Sequence, residues 1–158
     1  MTRRTSPTPP HPAASVASVR ERLFDALTGS ERYTIFAGDV ARAYGVELEH
    51  ARAALRAIHD ESAWCDGAIP GSQMLVNPEL AQRGTVIAKL PAGLLIPMHA
   101  HAERELTFVL DGELLDDGVR RVGPGELLDM PVGTSHAIRV AGEHACLAVF
   151  QRAPDRKA

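Results

Sequence analysis

A chain of 158 residues is long enough for one domain with a buried core and a small appendage. Its 17 Lys and Arg against 20 Asp and Glu give a formal net charge of −3, which is too small to indicate binding to nucleic acid or to an anionic membrane. Aromatic residues make up only 4% of the chain, so Leu, Val, Ile and Ala must fill the interior.

The cysteines and the apolar runs bear on location. Cys65 and Cys146 form no CxxC pair, which favours a reduced intracellular protein over a single disulfide between them. Arg3 and Arg4 resemble the start of an export signal, but no apolar segment follows them. No apolar run approaches the ~20 residues that cross a bilayer. We therefore expect a cytoplasmic protein without a membrane partner.

The N-terminal part is predicted to begin with a disordered leader over residues 1–14. This segment, MTRRTSPTPPHPAA, contains four prolines and few side chains to bury. From Ser15 to Leu27, apolar residues recur at helical spacing, and Gly29 is placed to end that first helix.

Two further helices are predicted before the chain changes character. A short helix begins at Asp39, a good N-cap, and ends at Tyr44. A longer helix runs from Glu47 to about Ser62. With the first helix they form a predicted helical module over residues 15–66.

The order of a short helix, a glycine and a longer helix also fits a helix-turn-helix that reads DNA. However, the longer helix begins ELEH, and its two carboxylates would face phosphates. A nucleic-acid partner is therefore the less favoured alternative, and a module that dimerises or binds a protein partner is favoured. Trp64 is expected to anchor the core between this module and the domain that follows.

After Gly67 the turn residues are spaced as they are in an all-β domain. Gly and Pro recur between strand-length apolar runs, with turn signals at Asp111-Gly112, Asp117-Gly118 and Pro124-Gly125. The expected strands are Gln73–Val76, TVIAKL, ELTFVL, RRVG, ELLDM, HAIRV and HACLAVF. About eight short strands predict a mainly β fold, an antiparallel barrel or jelly roll over residues 67–151, with a solvated tail over 152–158.

Histidine and glutamate side chains in this domain have the spacing of metal ligands. His99, His101 and Glu105 share one parity, so a chain that stays extended, or that resumes after a small bend, would direct all three to one space. A hairpin in the short link between the two stretches would bring His136 across the sheet to join them. Three imidazoles and one carboxylate suit Fe, Mn, Zn, Ni or Cu. Glu103 has the same parity and is the alternative carboxylate.

Two spaced patterns surround these side chains. The first contains Gly93, His99, His101, Glu105 and Gly112, and the second contains Gly125, Pro131, Gly133 and His136. Over about residues 69–151 these patterns resemble the paired motifs of the cupin superfamily. Val140 is the one departure, since cupins usually have Asn there.

The resemblance to cupins implies a jelly-roll barrel with a divalent transition metal (Zn, Fe, Mn or Ni). The metal ligands it implies are His99, His101, Glu105 and His136. It also implies a homodimer and a barrel that can hold a small ligand.

Within that superfamily the chain looks most like the cupin domain of ChrR-type anti-sigma factors. The shared features are ELTFVLDG, the acidic pair Asp116–Asp117, and a closing Gly142-x-x-x-Cys146-Leu-Ala, together with a preceding helical module. The His-x3-Cys-x2-Cys zinc motif of those proteins is missing, because the helical part has only His50, His59 and Cys65. This resemblance implies transcription control through a sigma-factor-like partner bound by the helical module.

Two function hypotheses follow. The first is a ChrR-like regulatory or sensory protein whose barrel detects a small molecule or an oxidant. The alternative is a small metal-dependent enzyme of the dioxygenase or isomerase type, with Glu105 as ligand or proton shuttle. For either, the expected pocket is small and apolar, and its available side chains are Leu95, Leu106, Leu110, Leu128 and Ile138. Arg139 is expected to point outward, His144 to lie at the surface, and Cys146 to be a small buried hydrophobe.

Overall fold

The computed structural model describes residue 24 and residues 28–153. The predicted leader over 1–14, most of the first predicted helix and residues 154–158 lie outside the described residues. Within the described part, no helix combines the length and the apolar character needed to cross a membrane.

Three α-helices have both ends within the described residues: α1 (Ala37–Tyr44), α2 (Leu48–Arg56) and α3 (Pro78–Ala81). Phe24 and Thr28 are also helical. α1 begins before the predicted N-cap, so Asp39 lies in its first turn, while Gly45 ends it in the left-handed conformation with φ 65°. The predicted helix to Ser62 is wrong beyond Arg56. The carboxylate of Asp60 accepts hydrogen bonds from the backbone N–H and the hydroxyl of Ser62, and this local turn competes with the helix.

Ten strands in the described residues form two antiparallel sheets. The larger sheet has the order β1-β2-β3-β10-β5-β8, and the smaller has the order β4-β9-β6-β7. The strands are β1 (Trp64–Asp66), β2 (Gln73–Leu75), β3 (Thr85–Leu90), β4 (Leu95–Ala100), β5 (Arg104–Asp111), β6 (Leu114–Asp116), β7 (Arg120–Val122), β8 (Leu127–Met130), β9 (Ser135–Val140) and β10 (Cys146–Ala153). The prediction of a mainly β, cupin-type jelly-roll barrel preceded by a small helical module is therefore confirmed.

The larger sheet separates two hydrophobic cores. On one face, α1 and α2 pack against β5 through residues that include Leu106, Phe108 and Leu110. On the other face, Val109 packs with residues of the smaller sheet. Because side chains alternate along a strand, Glu105 and Leu106 must face opposite sides of β5. The prediction that Leu106 and Leu110 line the pocket is therefore wrong.

Buried contacts join the helices to the larger sheet. Tyr44 is 1% exposed, and its hydroxyl donates a hydrogen bond of 2.7 Å to the carbonyl of Val149 in β10. Phe36 packs edge to face on Phe108, with 5.6 Å between ring centroids. The indole N–H of Trp64 donates to the carbonyl of Ile58, so Trp64 anchors the junction as predicted. The domain boundary at residue 66 stays a prediction.

Both cysteines are free thiols. Cys146 is fully buried in the core between the two sheets, as predicted, and burial raises the pKa of its thiol to about 12. Cys65 is exposed. Cys146 is therefore a packing residue with little thiolate at neutral pH.

Replacing Tyr44 with Phe tests how the helices are held. The change leaves the Val149 carbonyl without its 2.7 Å donor in a buried place, so we expect the free energy of unfolding to fall by about 1–3 kcal/mol. Tyr33→Phe is the matched control, because the Tyr33 hydroxyl donates to Asp111 in a part-buried place where Arg32 also pairs with that carboxylate. Urea unfolding measures both variants, and equal losses would contradict the account.

Candidate metal centre

Strand pairing in the smaller sheet brings the second histidine motif to the first. β9 lies between β4 and β6, and the Cα atoms of His99 and His136 are paired directly across the β4–β9 ladder. The predicted hairpin is β6–β7, where Asp117 and Gly118 both have positive φ. His136 therefore lies beside His99 on the adjacent strand of the same sheet. It does not face His99 from across the sheet, as the hairpin was expected to bring it.

His101 stays beside His99 although β4 ends at Ala100. Its backbone N–H donates to the carbonyl of Thr134, and its carbonyl accepts from the N–H of Gly133. These bonds continue the strand pairing beyond β4. His99 and His101 therefore still direct their side chains to the same face, as predicted.

Glu105 comes from the other sheet. The chain leaves β4, turns, and enters β5 at Arg104, so the carboxylate approaches the imidazoles from the larger sheet. Glu103 lies in the turn and is exposed, which rules it out as the carboxylate of this cluster.

The four side chains converge closely. One ligand atom from each of His99, His101, Glu105 and His136 lies within 4.8 Å of the others. The three ring centroids are 4.7 to 4.9 Å apart, and the rings are tilted by 46° to 66° to one another. Tilted rings around one point can direct nitrogen lone pairs to a shared centre, whereas stacked rings cannot.

Two nitrogens of this cluster are buried without a partner. His101 is 5% exposed and His136 is 1% exposed, and the Nε2 atom of each has no hydrogen-bond partner among the described residues. An unpaired buried nitrogen costs about 1–3 kcal/mol, and native proteins rarely leave one. A cation bound between the rings would pair both atoms, so the residues fit a metal.

In two of the rings, a hydrogen bond to Nδ1 fixes which nitrogen carries the proton. Nδ1 of His99 lies 3.0 Å from the carbonyl of Pro97, and Nδ1 of His136 lies 2.8 Å from a carboxylate oxygen of Asp116. A carbonyl can only accept, so Nδ1 of His99 must donate, and a carboxylate imposes the same tautomer on His136. Each Nε2 then offers a lone pair to the cluster, as metal-binding imidazoles do.

The environment of His101 favours its neutral form. Burial lowers the pKa of His101, while the nearby carboxylate of Glu105 acts in the opposite direction and only partly offsets the burial. A neutral imidazole is the form that binds a metal, so His101 is ready to bind at neutral pH.

Arg152 is a site residue that the sequence pattern missed. It was assigned to the tail, but β10 continues to Ala153 and pairs Arg152 directly with Glu105 of β5. Nε of Arg152 donates to a carboxylate oxygen of Glu105 at 3.1 Å. The alternation along HACLAVFQR could have indicated this, because Arg152 shares its face with Phe150.

A cavity of about 550 Å³ opens onto His99 and Glu105. Its apolar lining comes mainly from the facing strands: Val86, Ala88, Leu90, Ile96, Ile138 and Phe150. Of the predicted pocket residues only Ile138 is among the lining; Leu95 is 52% exposed and Leu128 packs in the core between the sheets. The prediction of an apolar pocket is confirmed, but it is larger than expected. Arg139 points outward as predicted.

Comparisons with known proteins give short or distant likenesses. No family model matches the chain. Dimethylsulfoniopropionate lyase DddQ of Ruegeria pomeroyi is 42% identical over 57 residues, which are 34% of this chain and 28% of that protein. The chain thus spans little more than a quarter of the curated relative it matches.

The solved structures that it resembles include cupins. KdgF from Halomonas sp. is 21% identical, with a TM-score of 0.46 over 61% of this chain and 92% of that one. An RmlC-like cupin from Shewanella frigidimarina is 19% identical, with a TM-score of 0.47 over 63% and 89%. The DddQ structure is 35% identical, with a TM-score of 0.38 over 47% and 40%. At these scores the fold assignment depends on the two-sheet topology itself.

Changing Asp116 to Asn tests the support of His136. The amide can no longer impose an Nδ1–H tautomer as a carboxylate does, so we expect metal affinity to fall by about 10–100-fold. Asp117→Asn is the matched control, because the neighbouring Asp117 carboxylate accepts from the backbone N–H of Ala137 instead. Competition with a chromogenic chelator measures both affinities, and an Asp116→Asn affinity equal to that of the control would contradict the role.

Proposed function

We propose that this protein is a metal-dependent enzyme of the cupin superfamily that acts on a small molecule in the apolar cavity. His99, His101, Glu105 and His136 would hold a divalent transition metal. The observation that carries the proposal is the pair of buried Nε2 atoms, on His101 and His136, that have no partner among the described residues and face the same cluster as Glu105.

The ligand set narrows the metal to a class. Imidazole suits Zn, Fe and Ni, and a carboxylate oxygen also suits Mn, while the absence of a thiolate from the cluster disfavours Cu(I). When bound, such a metal supplies a Lewis acid that polarises a substrate oxygen.

The chain's own residues would do the rest of the work. Asp116 and the Pro97 carbonyl keep protons on the outer nitrogens of His136 and His99, so both rings stay oriented. Arg152 holds the Glu105 carboxylate from the cavity side. Glu105 is the one carboxylate lining the cavity among the described residues, so a proton removed from a bound substrate would pass to its oxygen.

The similarity to a lyase supports an enzyme and extends the predicted reaction types. The sequence pattern pointed to a dioxygenase or an isomerase, and the 57-residue match to dimethylsulfoniopropionate lyase adds an elimination to that choice. Eliminations and many isomerisations begin with the removal of a proton next to an activating group, and Glu105 would take up that proton. We therefore favour a non-oxidative reaction over the dioxygenase.

The regulatory interpretation is less well supported. The ChrR-like role was predicted to use the helical module to bind a sigma-factor-like partner. The apolar residues of α1 and α2 are buried against the larger sheet, which leaves mainly polar helix faces for a partner. The protein partner, the homodimer and the cytoplasmic location stay predictions.

Elemental analysis of the purified protein tests the metal. We expect about one divalent transition metal per chain, and we expect His101→Ala and His136→Ala to lose most of it because each removes a ligand. His144→Ala is the control, since His144 is exposed and is not a member of the cluster. A metal content in His101→Ala that matches the His144→Ala control would contradict the site.

Turnover tests whether the site is catalytic. The metal-loaded protein would be incubated with a panel of small organic acids, including dimethylsulfoniopropionate, and followed by NMR. We expect one of them to be consumed, and we expect Glu105→Gln, compared at equal metal content, to slow this by about 10²–10⁴-fold as a lost general acid or base does. A metal-loaded protein that consumes none of the panel, but co-purifies with a sigma factor from its host, would reverse the assignment.

A further inference from the structure

Arg152 is the one Lys or Arg side chain that lines the cavity among the described residues. Its side chain is 72% exposed, while that of its partner Glu105 is 12% exposed, so the guanidinium stands at the mouth and the carboxylate lies inside. A ligand bound in the cavity beside His99 and Glu105 would share this lining with the cation.

The guanidinium of Arg152 has N–H donors that Glu105 does not use. It carries five N–H groups, and Nε uses one of them on Glu105. Its terminal nitrogens make no hydrogen bond to the described residues. A planar fork of this kind matches a carboxylate, which it can bind with two parallel hydrogen bonds.

Charge at the site favours an anionic ligand. A divalent metal together with Arg152 would bring three positive charges, against the carboxylates of Glu105 and Asp116. One positive charge remains for a ligand to neutralise.

Apart from the imidazole and the charged groups, most of the side chains that line the cavity are apolar, and Ser72, Gln73 and Thr107 are the polar ones among them. Facing strands supply Val86, Ala88, Ile138 and Phe150, within a volume of about 550 Å³. Such a surface binds an aliphatic body and offers few partners for hydroxyl groups.

We propose that the substrate is a small carboxylate with a mainly apolar body, and that Arg152 binds its carboxylate at the cavity mouth. The inference rests on the proposed function, because the surplus positive charge requires the metal. Arg152 would then both determine the substrate specificity and position Glu105.

A matched pair of ligands tests the inference on the full chain loaded with zinc. The probes are 4-methylpentanoate and its amide, which have nearly the same shape and differ in charge. Isothermal titration calorimetry should show the carboxylate binding more tightly by about tenfold or more, as a charged hydrogen-bonded pair provides. Arg152→Gln should abolish this preference, and Arg139→Gln, an outward-facing control, should keep it.

Metal content measured on the same samples distinguishes a failure of the proposed function from a failure of the role of Arg152. Protein that holds no zinc at the histidine cluster fails the proposed function. Zinc-loaded protein that prefers neither probe, or an Arg152→Gln variant that keeps the preference, overturns only the role of Arg152. If Arg152→Gln loses its zinc, Arg152→Lys is used in its place, because lysine keeps the charge but lacks the planar guanidinium. The preference for the carboxylate over the amide should then weaken several-fold. An undiminished preference overturns the inference.

Discussion

Two buried imidazole nitrogens that have no hydrogen-bond partner among the described residues are the constraint on which the rest of this structure depends. Nε2 of His101 and Nε2 of His136 lie in the interior, where an unpaired polar atom is costly. The other two members of the cluster, His99 and Glu105, are themselves ligand-type side chains, and neither forms a hydrogen bond with these two atoms. A cation is the partner that satisfies all of them together.

The fold holds this cluster from both sides. The smaller sheet supplies the three histidines, through the β4–β9 ladder and its continuation at His101, while the larger sheet supplies Glu105 and its partner Arg152. Outside the larger sheet, the helices fix β5 and β10 through Phe36 and Tyr44. The helical module therefore supports the metal centre indirectly, by holding the sheet that carries the carboxylate.

Local pattern predicted much of the cluster because the spacing of His99 and His101 depends on short-range geometry. Turn residues indicated the hairpin that precedes His136. Alternation indicated that His99 and His101 share one face, whereas the structure brings Glu105 to them from the larger sheet after a turn. The same rule, applied to the next residue, would have placed Leu106 on the outer face. Three-residue strands such as β1 and β6 are too short to show a period, and they exist because neighbouring strands pair with them. The role of Arg152 depended on the length of β10, which pairing with β5 sets.

Anomalous diffraction at the absorption edge of the bound metal tests the central claim most directly. A crystal of the metal-loaded protein should give one strong anomalous peak at bonding distance from His99, His101, Glu105 and His136, about 2.0–2.2 Å for a zinc ion. A map with no peak among these side chains, or with its peak at His50 or His59 in the helical module, would contradict the account.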